Sequence, residues 1–236
     1  MKSKSYLQRL VSPRIGFHYF QDTAHYTNRD LVTWLPKMIQ LNAKWIILRS
    51  DATRAIPEQF LSGLINNGIT PIVHISMPLP NAPSSADLQA ILDAYSRWGV
   101  KQVILFDKPN TVQAWSASGW SQQDLVERFI DKFIPLATAV AQSGMTPVFP
   151  PLQPGGNYWD LTFLRLALQS IIRRGYTNLI KQMSLSAYAY TFGNGLDWGL
   201  GAQAKWPKNK PYTKAPDTQD QCGFNNFEWV QSVASP

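Results

Sequence analysis

Cysteine is nearly absent from this chain: Cys222 stands alone among 236 residues. That excludes an internal disulfide and any multi-cysteine metal site. No apolar run is long enough to cross a bilayer, and the basic start MKSKSYLQRLVSP lacks the apolar stretch of an export signal. A soluble chain without membrane contact is therefore expected. No Gly-x-Gly-x-x-Gly follows the first predicted strand, and there is no phosphate loop, Gly-x-Ser-x-Gly elbow or Cys-His nucleophile signature. Glutamate is scarce as well. Glu58, Glu127 and Glu228 are the only three, and each falls on a predicted helix rather than at a strand end.

With 44% hydrophobic and 16% charged residues, the chain can bury a core of the size of one α/β barrel. Twenty-two Lys and Arg against 15 Asp and Glu leave a net charge of +7. Most of these basic residues are dispersed, so anionic partners are favoured only weakly.

The pattern centres on KQVILFDKPNTVQAW, residues 101–115. Its apolar run Val103–Phe106 stops at Asp107-Lys108-Pro109-Asn110, as a strand buried on both faces does when it delivers polar groups into a loop. Before it, strands are predicted at Arg14–His18, Trp45–Leu48 and Pro71–Ile75. After it, strands are predicted at the segment following Gly144 and at Gln182–Tyr188. Helical spacing fills the intervals: Leu31, Trp34, Leu35 and Met38; Phe60, Leu61, Leu64 and Ile65; Leu88, Ile91, Leu92 and Tyr95. Further along come Leu125 to Val140, introduced by a Ser121/Asp124 cap pattern, and Leu161, Leu164, Leu168 and Ile171. Pro36 and Pro135 both lie inside helical patterns. The joint Gly68-Ile69-Thr70-Pro71 recurs as Gly144-Met145-Thr146-Pro147, a helix-ending glycine followed by a proline-opened strand. A long loop to about Gly223 and a last helix bearing Phe224, Phe227 and Val230 complete the pattern.

Six βα units in parallel order predict an α/β fold of the TIM-type (β/α) barrel class, with residues 1–13 as an N-terminal extension and 14–236 as the barrel domain. Strands seven and eight are missing from the pattern. The expectation is a barrel truncated before them and completed by the C-terminal remainder of a longer chain.

Asp107-Lys108-Pro109-Asn110, followed by Trp115, resembles the end of the fourth strand in the retaining (β/α)8 glycoside hydrolases, where Asn-Glu-Pro-Asn and a tryptophan stand. The resemblance implies a carbohydrate site at the mouth of the barrel. It places the family's acid/base at Lys108, and a lysine with its usual pKa near 10.4 does not cycle as a carboxylic acid does. The family's nucleophile lies on a seventh strand that this chain does not show. A glycoside-hydrolase-like barrel that binds an oligosaccharide or polysaccharide and is inactive or strongly diverged is thus expected. The alternatives are an active glycosidase using Asp107 or Asp51 together with residues from a longer chain, and a non-catalytic protein-interaction domain.

Trp115, Trp120, Trp159, Trp198 and Trp206, with Tyr158, Phe192 and Tyr212, fall in or beside the loops after strands four to six, where rings can stack on sugars. Asn110 and Tyr188 complete the expected binding set, with His18 and His74 at the ends of strands one and three. Two isolated histidines without tight ligand spacing predict hydrogen bonds rather than a metal, and no cofactor is expected. Lys205, Lys208, Lys210 and Lys214 alternate with Trp206 and Tyr212. No nucleic-acid motif accompanies them, so a solvated loop is expected there.

Overall fold

The computed structural model describes residues 15–234, so the extension expected over 1–13 lies outside the described residues. The strands are β1 (Gly16–His18), β2 (Trp45–Ser50), β3 (Thr70–Ile75), β4 (Gln102–Leu105), β5 (Thr146–Phe149) and β6 (Ser184–Leu185). Helices α1 (Asn28–Gln40), α2 (Glu58–Asn66) and α3 (Ser85–Arg97) connect the first four strands. The short α4 (Ala117–Trp120) and the long α5 (Leu125–Gln142) link β4 to β5; α6 (Asp160–Arg173) and α7 (Thr177–Gln182) link β5 to β6. After β6 come α8 (Ala202–Lys205) and α9 (Asn226–Ala234).

The strands form one sheet in chain order, β1-β2-β3-β4-β5-β6. The β1–β2, β2–β3 and β5–β6 pairs are parallel. Parallel neighbours need a crossover, which the helices supply. Strictly sequential order is that of a (β/α)-barrel array, whereas a doubly wound sheet reverses its order at a switch point. The fold class is therefore α/β of the TIM-barrel type, with six βα units among the described residues.

The chain divides into two compact units. Among the described residues the first comprises 15–76, Pro83–Ile104 and Ala139–Thr146. In it β2 alternates strictly, burying Ile46, Leu48 and Ser50, and α1 and α3 each begin with a reciprocal cap, Thr27 with Asp30 and Ser84 with Asp87. Such a box satisfies two of the orphan N–H groups of the first turn. Helix α1 continues through Pro36. Gly68 and Gly144 hold φ of 74° and 79°, so both copies of the repeated joint end their helix in the left-handed conformation that glycine tolerates.

Among the described residues the second unit comprises Met77–Ala82, Leu105–Thr138 and 147–234. Its core is aromatic: Phe129 packs against Phe106, Phe133, Phe149 and Phe163 at centroid distances of 5.4 to 5.7 Å. Three expectations are corrected here. The sixth strand is two residues long, because Gln182 closes helix α7 and the chain leaves the ladder at Ser186, whose hydroxyl donates to the Phe149 carbonyl at 2.6 Å. The last helix turns Asn226 and Trp229 inward, while Phe224 and Phe227 stay about half exposed. Ser121 caps no following helix; its hydroxyl donates to the Ala117 and Ser118 carbonyls at the end of α4.

The long connection after β6 is ordered by side-chain bonds rather than by regular structure. Trp198 Nε1 donates to Asp220 at 2.9 Å, and Asn225 Nδ2 donates to the Leu196 and Trp198 carbonyls at 2.9 and 3.0 Å. The backbone N–H of Gly199 donates to the Gln219 side chain at 2.7 Å.

Between α5 and α6, Glu127 accepts from Ser170, Arg173 and Arg174 at 2.6 to 2.7 Å. Partial burial opposes ionisation, but the three hydrogen bonds outweigh it and hold the carboxyl down to about 2, from 4.5. The unfolded chain therefore binds the proton first as pH falls, and this stabilisation is complete above pH 4.5 and lost on the way to pH 2. Glu127→Gln is expected to lower the urea midpoint at neutral pH and to flatten its acid dependence between those values. Parallel curves for the two proteins in that range would contradict the assignment.

Candidate functional site

Strand β4 ends in strained backbone. Phe106 and Lys108, on either side of Asp107, take φ of 64° and 46°. Phe106 is fully buried and bulky, so the left-handed conformation costs it on the order of 1–2 kcal/mol. Strain of this kind gathers where a chain must aim particular groups.

What it aims is a compact set. Tyr188, just past β6, donates its hydroxyl to Asp107 Oδ1 at 2.9 Å. The Lys108 ammonium lies 4.9 Å from the centre of the Tyr188 ring. Tyr188 stacks on Tyr190 with centroids 5.3 Å apart and planes 18° from parallel, and Phe192 meets Tyr190 edge-on at 5.7 Å. Alternate residues of an extended chain share one face, which brings Tyr188 and Tyr190 together; Phe192 follows at a turn with φ of 51° and closes the ladder edge-on. Tyr190 is 39% and Phe192 49% exposed.

Asn110 fixes the loops beneath. Its Nδ2 donates to the Gln153 and Tyr158 carbonyls at 2.9 and 3.0 Å, and its Oδ1 accepts from the Gln153 N–H at 2.9 Å. The residue is fully buried. The polar groups of its side chain are thus engaged on the β4 and β5 loops. Gly156 completes this clamp, since a Cβ there would lie 2.6 Å from Asn110 Nδ2. Lys108 is anchored in the same way by its backbone N–H, which donates to the Pro151 carbonyl at 3.1 Å.

The tryptophans separate into different environments. Trp159 is buried in a cluster with Leu161, Ala202 and Trp229, against which Trp206 packs. Trp159 is 8% exposed, so little of its ring faces outward. Trp115 donates Nε1 to the Pro109 carbonyl at 2.8 Å and lies under the Arg128 guanidinium at 4.9 Å. Trp120, at the end of α4, is half-buried. Trp198 and Trp206 carry the Lys214 and Lys205 ammonium groups at 4.7 and 5.2 Å.

In the first unit, Asp51 lines a cleft of about 380 Å³ with Tyr26, Arg49 and Arg54. Its Oδ1 accepts both the hydroxyl and the N–H of Thr53 at 2.7 Å, which lower its pKa and keep it ionised. His18 is exposed at the end of β1, and His74 is buried in β3. Among the described residues no group of three or more His, Cys, Asp or Glu is placed to hold a metal ion, and no helix is long and apolar enough to cross a membrane. A second cavity of about 500 Å³, lined by Leu161, Leu168, Ile172, Trp229 and Val233, is mainly apolar and holds none of the ladder residues.

The class is thus set by topology, an α/β chain with a sequentially ordered parallel array. No family model and no curated protein matches the chain. Among solved structures, a glucosidase from Croceicoccus marinus aligns over 74% of this chain at 14% identity with a TM-score of 0.48. The chain spans 43% of that glucosidase. A family 2 AP endonuclease from Brucella melitensis aligns over 95% of this chain and 90% of its own length, at 13% identity with a TM-score of 0.47. At these scores neither neighbour informs the chemistry of this chain.

Proposed function

We propose that the second unit binds a neutral oligosaccharide at the end of β4, without hydrolysing it. The observation that carries this reading is the half-exposed Tyr190–Phe192 corner joined through Tyr188 to Asp107 and Lys108. A sugar ring presents C–H groups on its faces and hydroxyls around its rim. Exposed aromatic faces suit the former, and a carboxylate beside an ammonium suits the latter, accepting from one hydroxyl and donating to another. Lys108 and Asp107 are the polar contacts, Tyr190 and Phe192 the stacking ones, and Tyr188 and Asn110 position them. The absence of hydrolysis follows from the resemblance of Asp107-Lys108-Pro109-Asn110 to the Asn-Glu-Pro-Asn motif. Retaining chemistry needs two carboxyl groups roughly 5 Å apart, one of which cycles as an acid, and Lys108 holds that position.

Titration of the full chain with cello- and xylo-oligosaccharides, followed by intrinsic fluorescence, tests the reading. Tyr190→Ala and Phe192→Ala are each expected to weaken binding by about tenfold, the loss of roughly 1.4 kcal/mol of stacking. Both positions are exposed, so folding should be retained. Full affinity in both variants would remove the ladder from the site. Turnover of an aryl glycoside by the wild-type chain, abolished in Asp107→Asn, would replace binding by catalysis.

A further inference from the structure

We propose that the Lys205–Lys214 segment is a second binding surface, one that takes a polysaccharide bearing carboxylate or sulfate groups. The choice of a glycan rests on the carbohydrate reading above; the choice of an anionic one rests on this segment alone. KWPKNKPYTK places Lys205, Lys208, Lys210 and Lys214 within ten residues with no acidic residue between them. All four are exposed, and none forms an ion pair among the described residues. Like charges so close repel one another, and a flexible loop would spread them apart.

This segment is not free to spread. Gln203 Nε2 donates to the carbonyls of Trp206, Pro207 and Asn209 at 3.2 to 3.4 Å. Lys210 and Thr213 exchange two backbone hydrogen bonds of 3.0 Å. Trp206 Nε1 donates to the Leu200 carbonyl at 3.1 Å, and the Tyr212 hydroxyl accepts from the Trp159 N–H at 2.7 Å. A charge cluster held in place binds a polyanion without first having to be ordered.

The rings of the segment decide between classes of polyanion. Single-stranded nucleic acid is held by bases stacking on open aromatic faces. Here Trp206 packs on the Trp159–Trp229 cluster and lies under Lys205, Trp198 abuts Gly223 and lies under Lys214, and Tyr212 leans on Trp159 at 5.5 Å. Tyr212 alone stays well exposed, at 63%, and a single ring beside four ammonium groups does not make a run of stacking platforms. An anionic glycan needs only the ammonium groups.

The test is a set of titrations of the full chain with polygalacturonate, dextran sulfate, neutral dextran and single-stranded oligothymidylate, repeated with a Lys208→Glu/Lys210→Glu variant. Wild type should bind polygalacturonate, dextran sulfate or both, and not neutral dextran, with affinity falling steeply as salt rises from about 50 to about 200 mM. Binding to polygalacturonate alone assigns carboxylates, and to dextran sulfate alone, sulfates. The double variant should bind at least about tenfold more weakly, with its melting temperature and its neutral-oligosaccharide affinity unchanged. Failure of neutral oligosaccharides to bind, with the lysine-dependent polyanion binding intact, would sink the ladder reading and leave this one standing. Polyanion binding that is absent, or insensitive to the double charge reversal, overturns the proposal. Tighter binding of oligothymidylate than of either polysaccharide overturns it in favour of nucleic acid.

Discussion

Replacing Trp229 with alanine should cost the protein about 3–5 kcal/mol, the range for emptying a fully buried aromatic site. The side chain is completely buried on α9 against Trp159, Leu161 and Ala202, and its Nε1 donates to the Gly199 carbonyl at 2.8 Å. Around Gly199 the packing admits nothing larger: a Cβ there would lie 2.5 Å from the Asp220 carbonyl oxygen and 2.9 Å from Trp229 Nε1. Truncation therefore removes apolar burial and one of the two hydrogen bonds to the Gly199 carbonyl, which keeps the Ala202 N–H at 3.0 Å. Trp229→Phe separates the two effects, since it keeps most of the ring and loses the hydrogen bond, a difference of about 1 kcal/mol plus whatever cavity remains. Urea denaturation should show the midpoint falling in the order wild type, Phe, Ala, with the alanine variant melting on the order of 10 °C lower. An unfolding free energy for Trp229→Ala within about 1 kcal/mol of wild type would mean that α9 contributes little to the second unit, contrary to its burial.

The second large effect is expected at Asn110. Asn110→Ala leaves the Gln153 N–H and the Tyr158 carbonyl without their partner in a buried setting, while the Gln153 carbonyl keeps the Gly156 N–H at 3.0 Å. Each unsatisfied group costs about 1–3 kcal/mol before relaxation, so a net loss of about 3 kcal/mol is expected. Asn110→Asp keeps the acceptor for Gln153 but sets a carboxylate against two carbonyl oxygens, and should recover little. Because Asn110 positions the loops, either variant should weaken oligosaccharide binding in proportion to loop disorder. Gly156→Ala, which crowds the same amide, should reproduce the phenotype. Normal stability in Asn110→Ala would show that the loops hold one another without the clamp.

Much of the fold was legible because it is written in period and punctuation. Apolar runs ending in polar turns gave strands at Trp45 and Pro71, and Gly68 and Gly144 marked helix ends where the backbone does turn left-handed. Legibility failed where packing rather than period decides. Helix α7 was missed because six residues, Thr177–Gln182, carry too little pattern. Phe224 and Phe227 resemble a buried stripe, but Asn226 and Trp229 occupy that face.

The site divides in the same way. Asp107, Lys108 and Tyr188 were visible from their place at strand ends, and the structure brings them together. Tyr190 was passed over, although the alternation Tyr188-x-Tyr190 signals a shared face. Nothing in the sequence announced the positive φ of Phe106 and Lys108, since neither residue is one that favours it. Trp159 shows how burial escapes the sequence. A tryptophan in a loop suggests a platform, and only burial shows it to be core.

The most direct test of the central claim is a thermal-shift series on the full chain against increasing concentrations of neutral oligosaccharides, with Tyr190→Ala alongside. A ligand that binds only the native state must raise the melting temperature by mass action. The account predicts a concentration-dependent rise for at least one oligosaccharide, absent or much reduced in Tyr190→Ala. A rise of the same size in both proteins would contradict the ladder as the site, and no rise with any sugar of the series would contradict carbohydrate binding itself.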